Sequence, residues 1–153
     1  MTDKAKIKKA LKAECIRLLE ERIKTASTAM LSAQEAANSE GKSSAGDKYE
    51  TSRAMGQQDR DMNARQLEQA RKDLAFIHSL EIDRKEQSVV LGSLVYCKEG
   101  IFFLAAGLGS FHIEGQLIHF VSPAAPLANL LLHKSSGEKI SMNGKSFEIV
   151  EIV

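Results

Sequence analysis

The sequence predicts an α+β protein in two parts: an antiparallel coiled-coil helical hairpin over residues 1–84 and a small β-rich domain over residues 85–153. Three observations predict it. Residues 3–38 contain neither Gly nor Pro and carry one regular apolar stripe. Residues 39–46 combine two Gly with three Ser, a composition that breaks helices and turns the chain. From Gln87 onward the apolar residues come in short runs separated by Gly, the pattern of strands and tight turns.

In the first helix, Ile16, Leu19, Ile23, Ala26, Met30, Ala33 and Ala37 recur at alternating spacings of 3 and 4, a seam of the coiled-coil type. Large residues give way to small ones along it, so a partner helix can approach more closely toward Ala37. The helix is expected to stop near Asn38. A second helix is expected from Asp47 to about Ile82, with Ser44 and Asp47 as a capping box in which Asp replaces the usual Glu. Met55 and Met62 lie seven apart, and Leu67, Ala70, Leu74 and Ile77 continue at 3-4-3; the step from Met62 to Leu67 is out of register and predicts a local irregularity. Two helices of nearly equal length with a short loop between them become antiparallel neighbours. At 1.5 Å per residue, each arm of about 35 residues reaches roughly 50 Å. Most of such a hairpin should therefore project into solvent, its tip at about residues 39–50.

The boundary with the second part is expected between Ile82 and Val89. Strands are expected at Val89–Leu91, Leu94–Tyr96, Ile101–Leu104 and Leu117–Val121. Pro123–Leu132 has helical content, with Pro126 suited to a first turn. Asn143-Gly144, flanked by Ile140/Met142 and Phe147/Ile149, is the pair that a type I′ hairpin turn demands. The C-terminal residues from Phe147 onward should pair into the sheet.

Charge separates the two parts. Residues 1–85 hold 17 Lys+Arg and 14 Asp+Glu, and residues 86–153 hold 4 and 6. The first is a mixed-sign solvated surface and the second an apolar core. The net charge of +1 argues neither for nor against a nucleic-acid partner. The N-terminal residues have Lys but no apolar segment of a secretory signal, and no apolar run approaches the ~20 residues of a membrane span. Cys15 and Cys97 form no metal-ligand motif and read as buried thiols. A cytoplasmic protein with no membrane association is expected. Lys4, Lys6, Lys8, Lys9 and Lys12 read as a solvated helix face, and Met55 and Met62 as seam.

Pro126-Leu-Ala-Asn-Leu-Leu-Leu-His-Lys-Ser-Ser-Gly-Glu138 resembles the C-terminal pattern Ser-Pro-Leu-Gly-x-Ala-Leu-Leu-Gly-Lys-x-x-Gly-Asp of the Gre-type transcription elongation factors of bacteria. Ala125 stands for Ser, Ala128 and His133 for Gly, and Glu138 for Asp. Gly46-Asp47-x-x-Glu50 also has the spacing of that family's hairpin tip, and the order of hairpin, tip and β domain covers the whole chain. The resemblance implies an FKBP-like C-terminal domain that docks on RNA polymerase, with Pro126, Leu127, Leu131, Lys134, Gly137 and Glu138 at the partner surface. It implies that the hairpin enters the polymerase's secondary channel, meeting the RNA 3′ end and the DNA of the elongation complex only indirectly. It implies no cofactor and no metal of the chain's own: Asp47 and Glu50 would share the polymerase's active-site Mg²⁺ in cleaving backtracked RNA. Hard anionic oxygens are what such two-metal hydrolysis needs. The chain is then not itself an enzyme but a stimulator, and a monomer is expected.

Other readings stay open at this stage. Asp47 and Glu50 also suit a helix N-terminus structurally. If Gly41 takes the place of the family's Gly, Tyr49 matches its tip Tyr, the acid positions fall on Lys42 and Ala45, and a channel-occupying regulator without cleavage remains. Tyr49 reads first as packing over the small-residue end of the first helix near Ala33 and Ala37, with a contact inside the channel as the alternative, and Lys42, Lys48 and Ser44 complete the tip. An FKBP-like prolyl isomerase would need an aromatic-lined pocket, whereas Tyr96, Phe102, Phe103, Phe111, Phe120 and Phe147 fit core positions. A coiled-coil adaptor would need an apolar outer stripe where Glu20, Glu21, Arg22 and Arg60 stand.

Overall fold

The computed structural model describes residues 3–40 and 46–153, without the side chains of residues 37, 39, 40 and 46–52. It is an α+β chain: a long helical N-terminal region followed by a six-stranded mixed sheet. Helix α1 runs Asp3–Glu40 and α2 runs Gly46–Ser79. Strands β1 (Leu94–Cys97), β2 (Gly100–Leu104), β3 (Gly109–Ile113) and β4 (Gln116–Val121) precede the short helix α3 (Pro126–Leu131), and β5 (Lys139–Met142) and β6 (Lys145–Ile152) follow it. The sheet order is β3-β4-β2-β1-β6-β5. Neighbours are antiparallel except β2 and β4.

The chain divides into two compact units, Arg17–Ala75 and Met1–Ile16 with Phe76–Val153. In the helical unit Leu19, Ala26, Leu67 and Ala70 are buried. Ile23, Met30 and Ala33 of the expected seam are half-buried. Met55 and Met62 differ from expectation, being 61% and 48% exposed. Among the described residues, the buried line of α2 starts at Leu67, beyond the out-of-register step, because the 3-4 spacing that would carry it inward is broken there.

In the sheet unit, one face of the sheet holds Val95, Cys97, Phe102, Leu104, Ile140, Ile149 and Ile152, closed by Ala128 and Leu131 of α3. The opposite face carries Leu94, Phe103 and Phe120, with Phe103 edge-on to Phe120 at 6.2 Å. The start of α1 lies on this second face. Lys4 pairs with Glu151, and its ammonium sits 4.6 Å above the Tyr96 ring. Tyr96 and Glu151 are neighbours in the β1–β6 register. Ile7, Leu11 and Cys15, four residues apart, are buried on one stripe of α1.

The lysine-rich start of α1 is therefore not wholly a solvated face. Lys6 and Lys9 are exposed, but Lys4 is paired, Lys12 Nζ donates to the Leu80 carbonyl at 2.8 Å, and Lys8 is 3% exposed. Burial lowers the Lys8 pKa, opposed by Asp83 and Glu86 nearby. Long aliphatic stems let lysines cover apolar surface in this way. The sequence pattern does not reveal it, because every fourth residue of a short Lys-rich stretch can face either way.

Two strand expectations need correction. Val89–Leu91 is not a strand. Val89 is buried, but its backbone exchanges hydrogen bonds with Lys134 and His133 (2.9 Å each), forming with Ser88–Ser135 an isolated bridge. Conversely, β3 was not expected. Its alternation Gly109-Ser-Phe-His-Ile113 is too polar to stand out, since it forms a half-solvated edge. The hairpin at Asn143-Gly144 is as expected: φ is +53° and +78°, the signature of type I′. Glu114-Gly115 makes the same kind of turn between β3 and β4, with φ +50° and +76°.

Strand β6 carries a bulge. Tyr96 faces Glu151 while Cys97 faces Ile149, which leaves Val150 without a partner and 53% exposed. The extra residue lets both Ile149 and Ile152 reach the same face, which strict alternation forbids.

Candidate functional site

The segment from Pro126 to Glu138 folds as one local unit. Pro126 opens α3 with the extended Ala125 before it, where a missing N–H costs nothing. The Ser122 carbonyl and hydroxyl accept from Ala125 N–H (3.0 Å) and Ala124 N–H (3.2 Å), which shapes the entry. Ala128 and Leu131 are fully buried, so their side chains anchor α3 to the sheet. Leu127, Leu130 and Leu132 pack partly against the same core. Six helical residues cannot hold themselves, and this apolar face is what fixes α3.

After α3 the chain reverses through His133, whose φ of +70° is left-handed and unusual for a residue with a Cβ. Two hydrogen bonds hold it there: His133 N–H donates to Val89 O, and Lys134 N–H donates to Leu131 O at 3.1 Å. A second turn follows. The Glu138 carboxylate accepts from Ser135 N–H, and Glu138 N–H donates to Ser135 O at 3.1 Å. Gly137 (φ +92°) donates to Ile149 O at 2.7 Å, and Ser136 Oγ donates to Val150 O at 2.6 Å. The bulge at Val150 therefore receives the turn that ends this segment.

Of the expected partner residues, Pro126, Gly137 and Glu138 are exposed and Leu127 and Lys134 are half-exposed. Leu131 is a core residue. Gly137 and Glu138 are committed to the turn by the bonds above and Leu127 packs partly on the core, which leaves Pro126, Lys134, the neighbouring exposed His133 and the outer side of Leu127 to meet a partner. All four lie within residues 126–134 of the chain.

The tip candidates are only partly located. Asp47, Tyr49 and Glu50 fall in the first turn of α2, but their side chains lie outside the described residues, as do Lys42 and Ser44 altogether. In the helical unit, both helices line a cleft of about 580 Å³, with Leu18, Arg22, Ala26, Asn63, Gln66 and Ala70 in its wall.

Chemistry elsewhere in the molecule is muted. Cys15 and Cys97 are free and buried, and burial pushes their thiols up to about 12 and about 11. Such thiols are poor nucleophiles. Lys98 pairs with Glu148 at 2.5 Å, and this contact raises the lysine and lowers the carboxyl. Among the described residues no three His, Cys, Asp or Glu side chains cluster as metal ligands, and no helix is long and apolar enough to cross a membrane. Comparison with family models, with curated proteins and with solved structures finds no match.

Proposed function

We propose that this chain is an RNA polymerase-binding regulator of transcript elongation in the cytoplasm. Its β-rich part, an FKBP-like domain, docks on the polymerase, and the two long helices form a coiled-coil hairpin that reaches into the secondary channel. The observation that carries this reading is the conformation of the segment resembling the Gre pattern. Where that pattern has Gly, this chain has Ala128, a buried site with room for a small residue, and His133, a left-handed residue. Its Gly-acid pair falls on Gly137, also left-handed, and on Glu138, which closes the turn with its carboxylate. A buried small residue and a left-handed residue at the two positions where the pattern has Gly support the reading. The hairpin is supported by helices of 38 and 34 residues joined by a five-residue connection, and by the cleft to which both contribute.

Two activities are compatible with that placement, and the tip decides between them. Asp47 and Glu50, three apart in the first turn of α2, can face one side and lend oxygen ligands to a polymerase-held Mg²⁺. Otherwise the hairpin occupies the channel without chemistry. The test is binding of the full chain to core RNA polymerase, followed by RNA cleavage in a stalled complex. Binding is expected, and Lys134→Glu should weaken it. Under the cleavage reading, Asp47→Asn and Glu50→Gln each reduce cleavage sharply and leave binding intact. Binding without cleavage at any Mg²⁺ concentration assigns the channel-occupying role. Absence of binding overturns the proposal.

A further inference from the structure

The two edges of the sheet are unlike. β5 carries Lys139 and faces Lys145 across its turn, and α3 packs beside it. Charged edges of this kind resist pairing with another strand. β3 has no charged residue, no proline and no bulge over its five positions. It is the outer strand, and among the described residues only β4 pairs with it.

The register fixes which backbone groups of β3 point outward. Ile113 and Gln116 flank a two-residue turn, so the turn's own hydrogen bond joins them. In antiparallel pairing hydrogen-bonded pairs alternate, which makes Phe111–Ile118 and Gly109–Phe120 the next two. Strand β4 agrees from its other side, because the Val121 carbonyl turns away from β3 to accept from Ala105 N–H. The N–H and C=O of Ser110 and His112 therefore face solvent at the edge.

We infer that two copies of this chain associate through β3, paired antiparallel about a two-fold axis at Phe111. In that arrangement Ser110 of each copy lies opposite His112 of the other, and each such pair exchanges two backbone hydrogen bonds. Phe111, already stacked on Phe120 at 6.4 Å, meets its own symmetry mate in the closer, non-hydrogen-bonded pair. Gly109 lies opposite Ile113, small against large. Glu114 falls beside Leu108 of the other copy, so no like charges meet. A sequence of five that is compatible with itself in this register is what identifies a second copy as the occupant, since a two-fold interface uses the same patch twice. The pairing is short, so association is weak and concentration-dependent. It departs from the monomer expected from the sequence, and it does not depend on polymerase binding.

Sedimentation equilibrium of the full chain over a wide concentration range tests this. The mass should rise from monomer toward dimer. Ser110→Lys with His112→Lys places lysines opposite one another twice across the axis and should weaken the dimer about tenfold or more. Ser110→Lys with His112→Glu places opposite charges there instead and should restore or exceed wild-type association. Both double variants alter the same two exposed positions, so a folding defect would affect both alike and show in thermal melts. A monomeric mass throughout, an unchanged dimer in the Lys/Lys variant, or no recovery in the Lys/Glu variant each overturns the inference; a monomer would leave the edge open to a foreign strand.

Discussion

The helical unit Arg17–Ala75 and the unit built on the sheet bury their apolar residues on different scales. Among the described residues, the large side chains that are fully buried include Phe103, Leu94, Leu104, Ile118, Leu131 and Ile149 in the sheet unit, while the helical unit contributes Leu19. A two-helix seam is one side chain wide, whereas a sheet packed on both faces encloses whole residues. The helical unit rests instead on local hydrogen bonds and on surface pairs such as Arg17–Glu21 at 3.2 Å and Gln69–Asp73 at 2.9 Å, each worth about 0.2–0.5 kcal/mol. Global stability is thus concentrated in one region, and the other can open at lower cost.

The contrast is broken most directly at Phe103. Phe103→Ala should cost about 3–5 kcal/mol in chemical denaturation, since a fully enclosed ring leaves a cavity that the sheet cannot close. A loss under about 1 kcal/mol would mean the sheet core is looser than its packing suggests.

High pH sharpens the same contrast. The folded thiol of Cys15 stays protonated up to about 12, above its ordinary value near 9. The unfolded chain therefore releases a proton first, and stability should be intact at neutral pH and decline between about pH 9 and 12. Urea midpoints at pH 7, 9.5 and 10.5 would show it. Consistent with this, neither cysteine should react with a thiol reagent at neutral pH until denaturant is added.

The smallest effect is expected in the helical unit. Met55→Ala and Met62→Ala remove exposed side chains and should shift stability by about 0.5 kcal/mol or less. A cost of about 2 kcal/mol at either position would mean that these methionines are seam residues after all, as their spacing suggests.

Much of the fold was legible because it depends on local signals. Residues 3–38 read as helix from their 3-4 apolar spacing with no Gly or Pro to break it, and Asn143-Gly144 as a tight turn, with φ positive at both. Pro126 opened a helix for the same kind of reason, a fixed φ and no donor. The segment from Pro126 to Glu138 was legible as a pattern, but most of its pattern residues turn out to serve the fold: Ala128 and Leu131 in the core, His133, Gly137 and Glu138 in the reversals. A motif that preserves backbone geometry marks a domain more surely than it marks a contact surface.

By itself the sequence determined the class, the two long helices, most strands and the Asn143-Gly144 turn, because each follows from periodicity or from the conformational limits of single residues. Only tertiary structure decided which side each element shows. It drew Ile7, Leu11, Cys15 and even Lys8 of α1 into the unit of the sheet. It buried Val89 beside an isolated Ser88–Ser135 bridge rather than in a strand, and placed the polar Gly109–Ile113 as an edge. It also put a bulge at Val150, which no alternation of Phe, Glu, Ile and Val foretells. Those outcomes depend on what lies opposite a residue in space, and a one-dimensional pattern carries that information only where both partners repeat in step.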